Sequence, residues 1–425
     1  MKISVMGGGY VGLVSSACFA ELGHSVSLIE IDEKKVEAIN SGKPPIYEKG
    51  LEELLRKHAG RNLKASSSYD EVCNTEISFI CVGTPSGPEG EADLSMIEAA
   101  SRSVGESLQE GDGYHVVAVK STVPPGTTQD LVMPTVLRRS GSVGGERELG
   151  FAMNPEFLRE GLAVQDFMQP DRIVIGCSDT KAGDLVESIY ERLNAPVIRV
   201  GLSSAEMIKY ASNALLATKI SFSNEIGNIC KKIGIDVYEV MRGVGMDHRI
   251  SPHFLNAGAG FGGSCFPKDV MAMIRLAELI GEDPVLLKSV VEVNMKQPIR
   301  MVDLLERRLG GLSGKEIAVL GLAFKKDTDD VRESRAIPLI KELKKRGAWV
   351  KAYDPLAVSN MRKVFPDVEY FKSAAGALEN ADACLIMTEW PEFAQLDEEF
   401  DLMKSRVIIE GRRVLLCGDA EGLCW

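Results

Sequence analysis

The chain has 425 residues, of which 45% are hydrophobic and 26% charged, which is typical of a soluble globular protein with two or three domains. A formal net charge of −12 argues against nucleic acid or an anionic membrane as the main partner, but it leaves room for a small anionic ligand. Apolar runs never reach the roughly 18 residues of a membrane span, and the chain opens directly on a strand and a glycine turn, so we expect a cytoplasmic protein without a signal peptide.

Cysteine and histidine usage gives no sign of a disulfide framework or a metal site. Nine cysteines are scattered through the chain without a CxxC pair, and an odd, irregular set of this kind favours reduced thiols. Five histidines without an HxxxH pair provide no metal-ligand spacing. We therefore expect no metal.

The first motif in chain order is a glycine turn between a predicted strand and a predicted helix. Gly7, Gly9 and Gly12 fit GxGxxG, an apolar strand precedes them, and an apolar helix follows at residues 13–22. A second predicted strand ends in Glu30, 18 residues after Gly12. The glycines permit a tight turn, the pyrophosphate lies on the helix N-terminus, and the acid hydrogen-bonds a ribose diol while repelling a 2′-phosphate. This pattern predicts a βαβ unit that binds NAD in preference to NADP.

Further predicted strands end in polar loops. Residues 77–82 and 115–120 lead into Thr84 and Thr122, which are candidates to touch the dinucleotide, although ordinary turn roles are equally compatible. Strand 151–153 leads into a loop in which Glu156 and Glu160 lie at i and i+4. Both can face one cleft, but a solvated capping turn explains the spacing slightly better. Strands at 172–177 and 196–200 close the first domain.

A long helix is predicted from residue 203 to about residue 233, because the segment has helical period and no proline. About 30 residues would span about 45 Å, which suits a spine between domains and a dimer contact. Lys209 and Asn213 lie on one face of this helix. A solvated lysine is the ordinary alternative for Lys209.

The most distinctive stretch is residues 261–269, Phe-Gly-Gly-Ser-Cys-Phe-Pro-Lys-Asp. Glycines let a ligand approach the backbone closely, and a cation near the Cys265 thiol favours the nucleophilic thiolate. A glycine-rich turn around a buried cysteine is the alternative for such a cluster by itself. Its occurrence together with the glycine turn and the long helix favours a catalytic cysteine.

The last part of the chain repeats the strand–helix alternation. Residues 310–314 are a glycine-rich linker, and strands are predicted at 316–320, 349–353, 383–387 and 407–410. This second βαβ fold lacks GxGxxG. Cations fall at or after its strand ends as in a phosphate-binding cluster, and exposed surface charge is equally compatible with each of them: Lys325, Lys326, Arg332, Arg412 and Arg413.

Five motifs in this order resemble the UDP-glucose/GDP-mannose dehydrogenase family over the whole chain: GGGYVG, STVPPGT, NPEFLREG, FGGSCFPKD and FKKDTDDVRES. The resemblance implies an α/β protein with two Rossmann-like doubly wound domains joined by a long central helix and a helical region. It implies an NAD-binding domain at 1–200, a central helical dimerisation domain with the catalytic cysteine at 201–312, and a nucleotide-sugar domain at 313–425. It also implies a homodimer.

The resemblance further implies roles for individual residues. Catalytic roles fall to Cys265 as nucleophile, Lys209 and Asn213 for the oxyanion and the water, Glu156 as acid/base group, and Thr122 and Asp269 in support. Cofactor contacts fall to Gly7, Gly9, Tyr10, Val11, Gly12, Glu30, Lys35, Thr84, Pro85, Ser121, Thr122, Glu160, Lys268 and Arg332. Substrate contacts fall to Phe157, Leu158, Arg159, Glu160, Lys209, Asn213, Arg249, Phe254, Asn256, Gly258, Gly260, Phe261, Gly262, Phe324, Lys325 and Arg412.

The expected reaction is a four-electron, NAD-dependent oxidation of a nucleotide-sugar C6 alcohol to a carboxylate, by way of a cysteine thiohemiacetal and a thioester. Residues 46–48, residues 245–249 and the CFPKD motif look more like UDP-glucose enzymes than GDP-mannose enzymes. The same chemistry on GDP-mannose or a UDP-N-acetylhexosamine is the alternative. A non-catalytic sensor and a one-step dehydrogenase with a structural cysteine are further alternatives. Glu30 stands where an aspartate is more usual in the family.

Overall fold

The computed structural model describes residues 1–109, 113–141, 148–415 and 420–425. These residues form two compact units, Met1–Ser212 and Asn213–Trp425. Each unit contains its own sheet, and the boundary falls inside the 32-residue helix Leu202–Ile233. None of the helices in the described part of the chain has the length and apolar character needed to cross a bilayer.

The first unit is built on an eight-stranded sheet. Its strands are β1 (Lys2–Met6), β2 (Ser25–Ile29), β3 (Leu63–Ser66), β4 (Ile77–Ile80), β5 (Tyr114–Val119), β6 (Glu148–Met153), β7 (Ile173–Cys177) and β8 (Val197–Val200). The spatial order is β3-β2-β1-β4-β5-β6-β7-β8, and only β6 and β7 pair antiparallel. The order reverses at β1, and ligands of such sheets bind at the carboxyl ends of the strands beside this point.

Helices flank this sheet and explain why its strands are almost entirely apolar. They are α1 (Tyr10–Glu21), α2 (Glu33–Asn40), α3 (Leu51–His58), α4 (Ser95–Ser107), α5 (Met133–Ser140), α6 (Ala163–Met168), α7 (Thr180–Ser188) and the start of α8 (Leu202–Ile233). All four residues of β4 are buried, as expected of a parallel strand covered on both faces. On one face the ring of Phe19 packs 5.0 Å from Phe79 and 5.3 Å from Phe167, centroid to centroid.

The second unit contains the rest of α8 and a six-stranded, wholly parallel sheet. The strands are β9 (Glu316–Leu320), β10 (Trp349–Tyr353), β11 (Glu369–Tyr370), β12 (Ala383–Ile386), β13 (Ile408–Glu410) and β14 (Ala420–Gly422), in the order β11-β10-β9-β12-β13-β14. The remaining helices are α9 (Val237–Gly245), α10 (Phe266–Leu279), α11 (Val285–Leu309), α12 (Ala336–Lys345), α13 (Val358–Val364) and α14 (Ala374–Leu378).

The predicted fold class is confirmed, because both sheets are doubly wound and a long helix runs from one unit into the other. The three predicted domain ranges stay a prediction. Three short strands, β3, β11 and β14, were not predicted. β3 is an edge strand of the first sheet, and β11 and β14 are the two edge strands of the second sheet.

Candidate active site

The turn after β1 has the shape that a dinucleotide needs. Gly7 has φ +102°, and a Cβ atom there would lie 2.9 Å from the carbonyl oxygen of Cys81. A Cβ atom on Gly12 would lie 1.9 Å from the carbonyl oxygen of Gly7. Helix α1 starts at Tyr10, so its unpaired N–H groups lie at this turn. The turn therefore fits the pyrophosphate of NAD.

Glu30 follows β2 beside the same turn and is buried. Its Oε2 atom accepts a hydrogen bond from the Gly8 N–H at 3.0 Å, and Oε1 accepts from the Asp32 N–H at 3.0 Å. The Lys35 ammonium lies 3.8 Å from Oε2. A carboxylate held here can accept ribose hydroxyls and repels a 2′-phosphate, which agrees with NAD as the cofactor.

The loops after β4 and β5 are hydrogen-bonded to each other. The Thr84 hydroxyl donates to the carbonyl oxygen of Thr122 at 2.9 Å, and the Ser121 hydroxyl donates to the carbonyl oxygen of Val82 at 2.6 Å. The two loops therefore form one polar edge of the sheet. Val11 lies in the first turn of α1, and Pro85 follows Thr84 in the first of the two loops.

Glu206 fixes the loop beyond Thr122, a role that the sequence does not reveal. This fully buried carboxylate of α8 accepts the Gly126 N–H at 2.6 Å, the Thr128 N–H at 2.8 Å and the Thr128 hydroxyl at 2.6 Å. Burial raises the pKa of the Glu206 carboxyl, and these hydrogen bonds partly offset the rise. Partners about 80 positions away leave no local pattern in the sequence.

Glu156 and Lys209 form a buried ion pair. The Lys209 ammonium lies 3.1 Å from Glu156 Oε1, and the two side chains are only 4% and 7% exposed. Glu156 Oε2 accepts the Leu158 N–H at 2.6 Å. The structure thus brings together the predicted acid/base carboxylate and the predicted oxyanion-stabilising lysine. A pair held in this way can pass a proton between its members without a large movement.

The loop after Glu156 is arranged by aromatic and ionic contacts. The Arg172 guanidinium lies 3.6 Å from the ring centroid of Phe157, and the Lys209 ammonium lies 5.4 Å from it. Arg159 forms a two-pronged ion pair with Asp166, with contacts of 3.0 and 2.6 Å. The guanidinium of Arg159, a predicted substrate contact, is therefore held by Asp166. Glu160 lies between Arg159 and Gly161, half-buried.

Lys120, at the end of β5, is a buried cation that the sequence did not single out. Its ammonium donates to Asn154 Oδ1 at 3.0 Å and lies 5.9 Å from the ring centroids of Phe79, Phe167 and Tyr190. Burial lowers the pKa of Lys120 to about 8, while the nearby Cys81 and Glu156 act in the opposite direction.

In the second unit, Cys265 precedes the first turn of α10. It is the N-cap residue, and Pro267 lies inside the first turn, where its missing N–H costs nothing. The partial positive charge of a helix N-terminus stabilises a thiolate. The Ser264 hydroxyl lies 3.6 Å from the Cys265 sulfur. A Cβ atom on Gly263 would lie 2.7 Å from the Phe324 ring, so only glycine allows this turn to pack on that ring.

Asp269, one turn along α10, is buried and bonded on both oxygens. Oδ2 accepts the Asn213 side-chain amide at 2.6 Å, and Oδ1 lies 2.7 Å from the Lys268 ammonium. Two predicted catalytic residues, Asn213 and Asp269, are therefore in direct contact. Lys268 was expected to favour the thiolate of Cys265 and to contact the cofactor, and its ammonium is bonded to Asp269.

Buried amides hold the loop that precedes Cys265. Asn224 Oδ1 accepts the Gly258 N–H at 2.7 Å, and the Gln297 side chain donates to the Gly258 carbonyl at 2.8 Å. Asn294 accepts the Phe261 N–H at 2.7 Å and donates to the Phe261 carbonyl at 3.0 Å. These three amides, which we call the amide clamp, were missed because polar residues on predicted helices resemble a solvated face.

Other predicted substrate residues lie around the same loop. Arg412 donates to the carbonyl oxygen of Gly260. A Cβ atom on Gly262 would lie 2.2 Å from the Glu333 carbonyl, so this glycine packs directly on backbone. The Phe254 ring lies 6.1 Å from the ring of Phe266. Asn256 lies two residues before Gly258 in the same loop.

Two predicted arginines are bonded to acids on their own loops. Arg332 contacts Asp330 at 2.6 to 3.0 Å, while its carbonyl accepts the Gly263 N–H at 3.0 Å. Arg249 is 78% exposed and contacts Asp247 at 2.5 Å. The Lys325 ammonium lies 5.5 Å from the Phe324 ring centroid. Lys325, Lys326 and Arg332 lie in the loop after β9, and Arg412 and Arg413 follow β13, so the predicted phosphate-binding cluster stays a prediction.

The second sheet does not offer a second dinucleotide turn. Asp354, after β10, is buried and accepts the N–H groups of Leu322 and Ala323 at 2.7 and 3.0 Å. It also accepts the Trp390 indole N–H at 3.0 Å. Asp354 therefore accepts the chain's own donors, as Glu30 does in the first sheet, and the two turns differ in the missing GxGxxG.

The dinucleotide turn of the first unit, with Glu30 beside it, is that of an NAD-dependent dehydrogenase. Three domains of one family match the chain: the NAD binding domain at residues 1–194, the central domain at 203–296 and the UDP binding domain at 318–416. The chain therefore belongs to the UDP-glucose/GDP-mannose dehydrogenase family.

Individual relatives are similar over nearly the whole chain. UDP-glucose 6-dehydrogenase AglM of Haloferax volcanii is 50% identical, over 98% of this chain and 97% of its own length. UDP-glucose 6-dehydrogenase TuaD of Bacillus subtilis is 46% identical, over 97% of this chain and 89% of its own. The structure of a UDP-glucose dehydrogenase from Pyrobaculum islandicum has a TM-score of 0.95 at 45% identity, covering 100% of this chain and 98% of its own.

Proposed function

We propose that this chain is a UDP-glucose 6-dehydrogenase, which oxidises the C6 alcohol of UDP-glucose to the carboxylate of UDP-glucuronate. The substrate assignment is carried by the full-length similarity to enzymes of that name. Within the chain, the chemistry is supported by Cys265 at the N-terminus of α10, since a thiol there is suited to nucleophilic attack.

NAD, when bound, supplies the hydride acceptor for both oxidations, and the glycine turn with Glu30 would hold it. Cys265 has the central part in the covalent chemistry. Its thiolate adds to the C6 aldehyde and forms a thiohemiacetal, so the half-oxidised sugar stays attached to the enzyme. The second oxidation converts this adduct into a thioester. Water then attacks the thioester carbonyl, which releases the carboxylate and returns the thiolate.

The charged side chains are assigned to proton transfer and to oxyanion stabilisation. Glu156 and Lys209 are suited to exchange protons with the hydroxyl and with the attacking water, because each already contacts the other at 3.1 Å. Asn213, oriented by Asp269, supplies a neutral donor for an oxyanion. Thr122 is assigned a supporting role at the end of β5.

The proposal is tested by the stoichiometry of NADH with a panel of nucleotide sugars. We expect two NADH for each UDP-glucose consumed and much slower reduction with GDP-mannose or a UDP-N-acetylhexosamine. One NADH for each sugar would contradict the thioester route. A preference for another sugar would overturn the substrate assignment but leave the chemistry in place.

Substitution of the cysteine tests the covalent steps. Cys265→Ala should abolish UDP-glucuronate formation, and Cys265→Ser should stall at or before the ester, because an oxygen ester is hydrolysed less readily than a thioester. The matched control is Cys73→Ser, since the Cys73 thiol donates to the Asp70 carbonyl in the first unit and a serine can replace that donor. Wild-type turnover in Cys265→Ala would refute the covalent route.

We also infer a homodimer through the central helix. Four apolar residues that are more than half exposed follow each other on α8 at intervals of seven, seven and four: Leu215, Phe222, Ile229 and Ile233. Met295 of α11 is 63% exposed as well, and a groove of about 490 Å³ lies between the two helices. A continuous apolar stripe on a helix is typical of an interface. A second copy of the chain is the partner that we propose.

Light scattering after size exclusion tests the dimer. Phe222→Glu combined with Ile229→Glu should convert a dimer to a monomer, because it places charges in the stripe. Leu402→Glu, at another exposed apolar residue, is the matched control and should not. A monomeric wild-type chain would refute the inference.

The domain ranges and the location in the cell complete the proposal. We assign residues 1–200 to NAD binding, 201–312 to the helical core with the catalytic cysteine, and 313–425 to nucleotide-sugar binding. A cytoplasmic location stays a prediction, and cell fractionation would test it.

A further inference from the structure

Residues 46–48, which in the sequence are only a family-like motif, end in a buried carboxylate. Glu48 lies between α2 and α3 and is 6% exposed. Its Oε2 atom accepts hydrogen bonds from the Tyr10 hydroxyl and, at 2.6 Å, from the Gly161 N–H. Its Oε1 atom accepts the Ala163 N–H at 2.9 Å. Both oxygens are therefore engaged by neutral donors.

The three donors belong to two different parts of the proposed machinery. Tyr10 is the first residue of α1, at the dinucleotide turn. Gly161 and Ala163 lie where the loop that carries Glu156 and Glu160 ends and α6 begins. The Gly161 N–H is also 3.0 Å from the Tyr10 hydroxyl oxygen. Glu48 is thus the common acceptor between the cofactor turn and the loop of the acid/base group.

The hydrogen bonds of Glu48 to Tyr10, Gly161 and Ala163, which we call the Glu48 bridge, indicate a role beyond stabilising the fold. A buried acidic side chain is costly unless its oxygens are hydrogen-bonded, and here they accept three hydrogen bonds, all from uncharged groups. Burial raises the pKa of the Tyr10 hydroxyl, and the bond to Glu48 raises it further, so the hydroxyl remains a donor. An apolar side chain would fill the same space at lower cost, but it would leave two backbone N–H groups of the loop unpaired.

We propose that Glu48 is a positioning residue, which couples Tyr10 at the dinucleotide turn to the loop that carries Glu156 and Glu160. The inference rests on the proposed function for its catalytic consequence. A shift of the bridge would move the acid/base carboxylate relative to the turn that holds NAD. Glu48 itself touches neither substrate nor cofactor in this assignment.

Glu48→Gln is the decisive substitution, because it conserves size. Both carboxylate oxygens accept backbone N–H groups, so the amide nitrogen of glutamine would have to face one of these donors. We expect kcat to fall by about ten- to a hundredfold and KM for NAD to rise, because a buried N–H donor of the loop is left without an acceptor. Tyr10→Phe removes one neutral donor and should raise KM for NAD by about two- to tenfold.

The double variant separates coupling from simple packing. If Glu48 couples the two parts, KM for NAD in the double variant stays within about twofold of Glu48→Gln alone. Effects that multiply would overturn the proposal, and so would a Glu48→Gln protein with wild-type kcat and KM for NAD. The matched control is Glu52→Gln, whose carboxylate lies on α3 in an exposed pair with Arg56.

Calorimetric titration with NAD alone makes the two failures distinguishable. A wild-type protein that binds NAD but reduces none of it with any nucleotide sugar would refute the proposed function, and the coupling would still be tested by the NAD affinities. The NAD affinity of Tyr10→Phe is compared with that of wild type, and the affinity of the double variant with that of Glu48→Gln. If the loss is the same in both comparisons, the coupling is refuted, whatever the enzyme's substrate. Thermal unfolding identifies any variant that has lost its fold. If Glu48→Gln has lost it, Tyr10→Phe is the smaller change that still tests the bridge, and an unchanged KM for NAD in that variant would overturn the proposal.

Discussion

Replacing Lys120 by methionine should make the protein more stable, and more so at neutral than at alkaline pH. The ammonium is buried at the end of β5, and among the described residues no carboxylate lies within ion-pair distance of it. Methionine fills a similar volume without the charge. Asn154 Oδ1 keeps a donor in the variant, because the Tyr190 hydroxyl bonds to it at 2.5 Å.

The magnitude follows from the altered pKa of Lys120. Burial lowers this pKa from its ordinary 10.5 to about 8, so at about 1.4 kcal/mol for each pKa unit the buried charge costs about 3 kcal/mol below pH 8. The folded protein releases the proton near pH 8, whereas the unfolded chain keeps it until about pH 10.5. Because the unfolded chain binds more protons in this window, stability rises with pH there.

Urea unfolding of wild type and Lys120→Met between pH 7 and pH 10.5, with reductant present, measures this difference. The advantage of the variant should shrink by about 3 kcal/mol across the window. Lys64→Met is the matched control for the loss of a lysine at an exposed position on β3. A difference between Lys120→Met and wild type that does not change with pH would refute the reasoning.

Three further substitutions test separate parts of the structure. Glu30→Ala should raise the ratio of kcat/KM for NADP to that for NAD by at least about tenfold, because it removes the charge that repels a 2′-phosphate; an unchanged ratio would contradict this role. Gly260→Ala should lower the free energy of unfolding by about 1–3 kcal/mol and raise KM for the nucleotide sugar, since φ is +99° and the new Cβ would lie 2.4 Å from Asn294 Oδ1; wild-type stability would count against the amide clamp. Asp236→Ala should lower the free energy of unfolding in urea by about 1 kcal/mol, because the Asp236 carboxylate caps α9 by accepting the Tyr238 N–H at 2.8 Å. Asp236→Asn should lower it by less, and equal losses in the two variants would argue against the cap.

The elements that the sequence predicts well are those whose signals are local. The strand–turn–helix at Gly7 is defined by residues within one short segment, and the long helix has a periodicity that continues over 32 residues. By contrast, β3 has four residues with a lysine in the middle and β11 has two, which is too little for an alternating pattern. Such edge strands form because a neighbouring strand offers its free hydrogen-bonding groups.

In the candidate site, too, the residues with local sequence signals were predicted and those that depend on distant partners were not. Cys265, Lys209 and Glu156 stand in motifs that the sequence singles out, and their catalytic roles stay predictions until variants are measured. The roles of Glu48 and Glu206 could not be predicted, because the backbone N–H groups that they bind lie about 80 or more residues away. A buried acceptor of this kind is specified by the fold as a whole, and only the structure identifies it.

The amide clamp has a consequence for how a ligand meets this protein. Residues 258–261 form no helix or strand, yet side chains of α8 and α11 already occupy the backbone groups of Gly258 and Phe261. The conformational entropy of that loop is lost when the chain folds and not when a ligand binds. Its amide hydrogens should therefore exchange slowly with solvent deuterium even in the free protein, as they would in a strand.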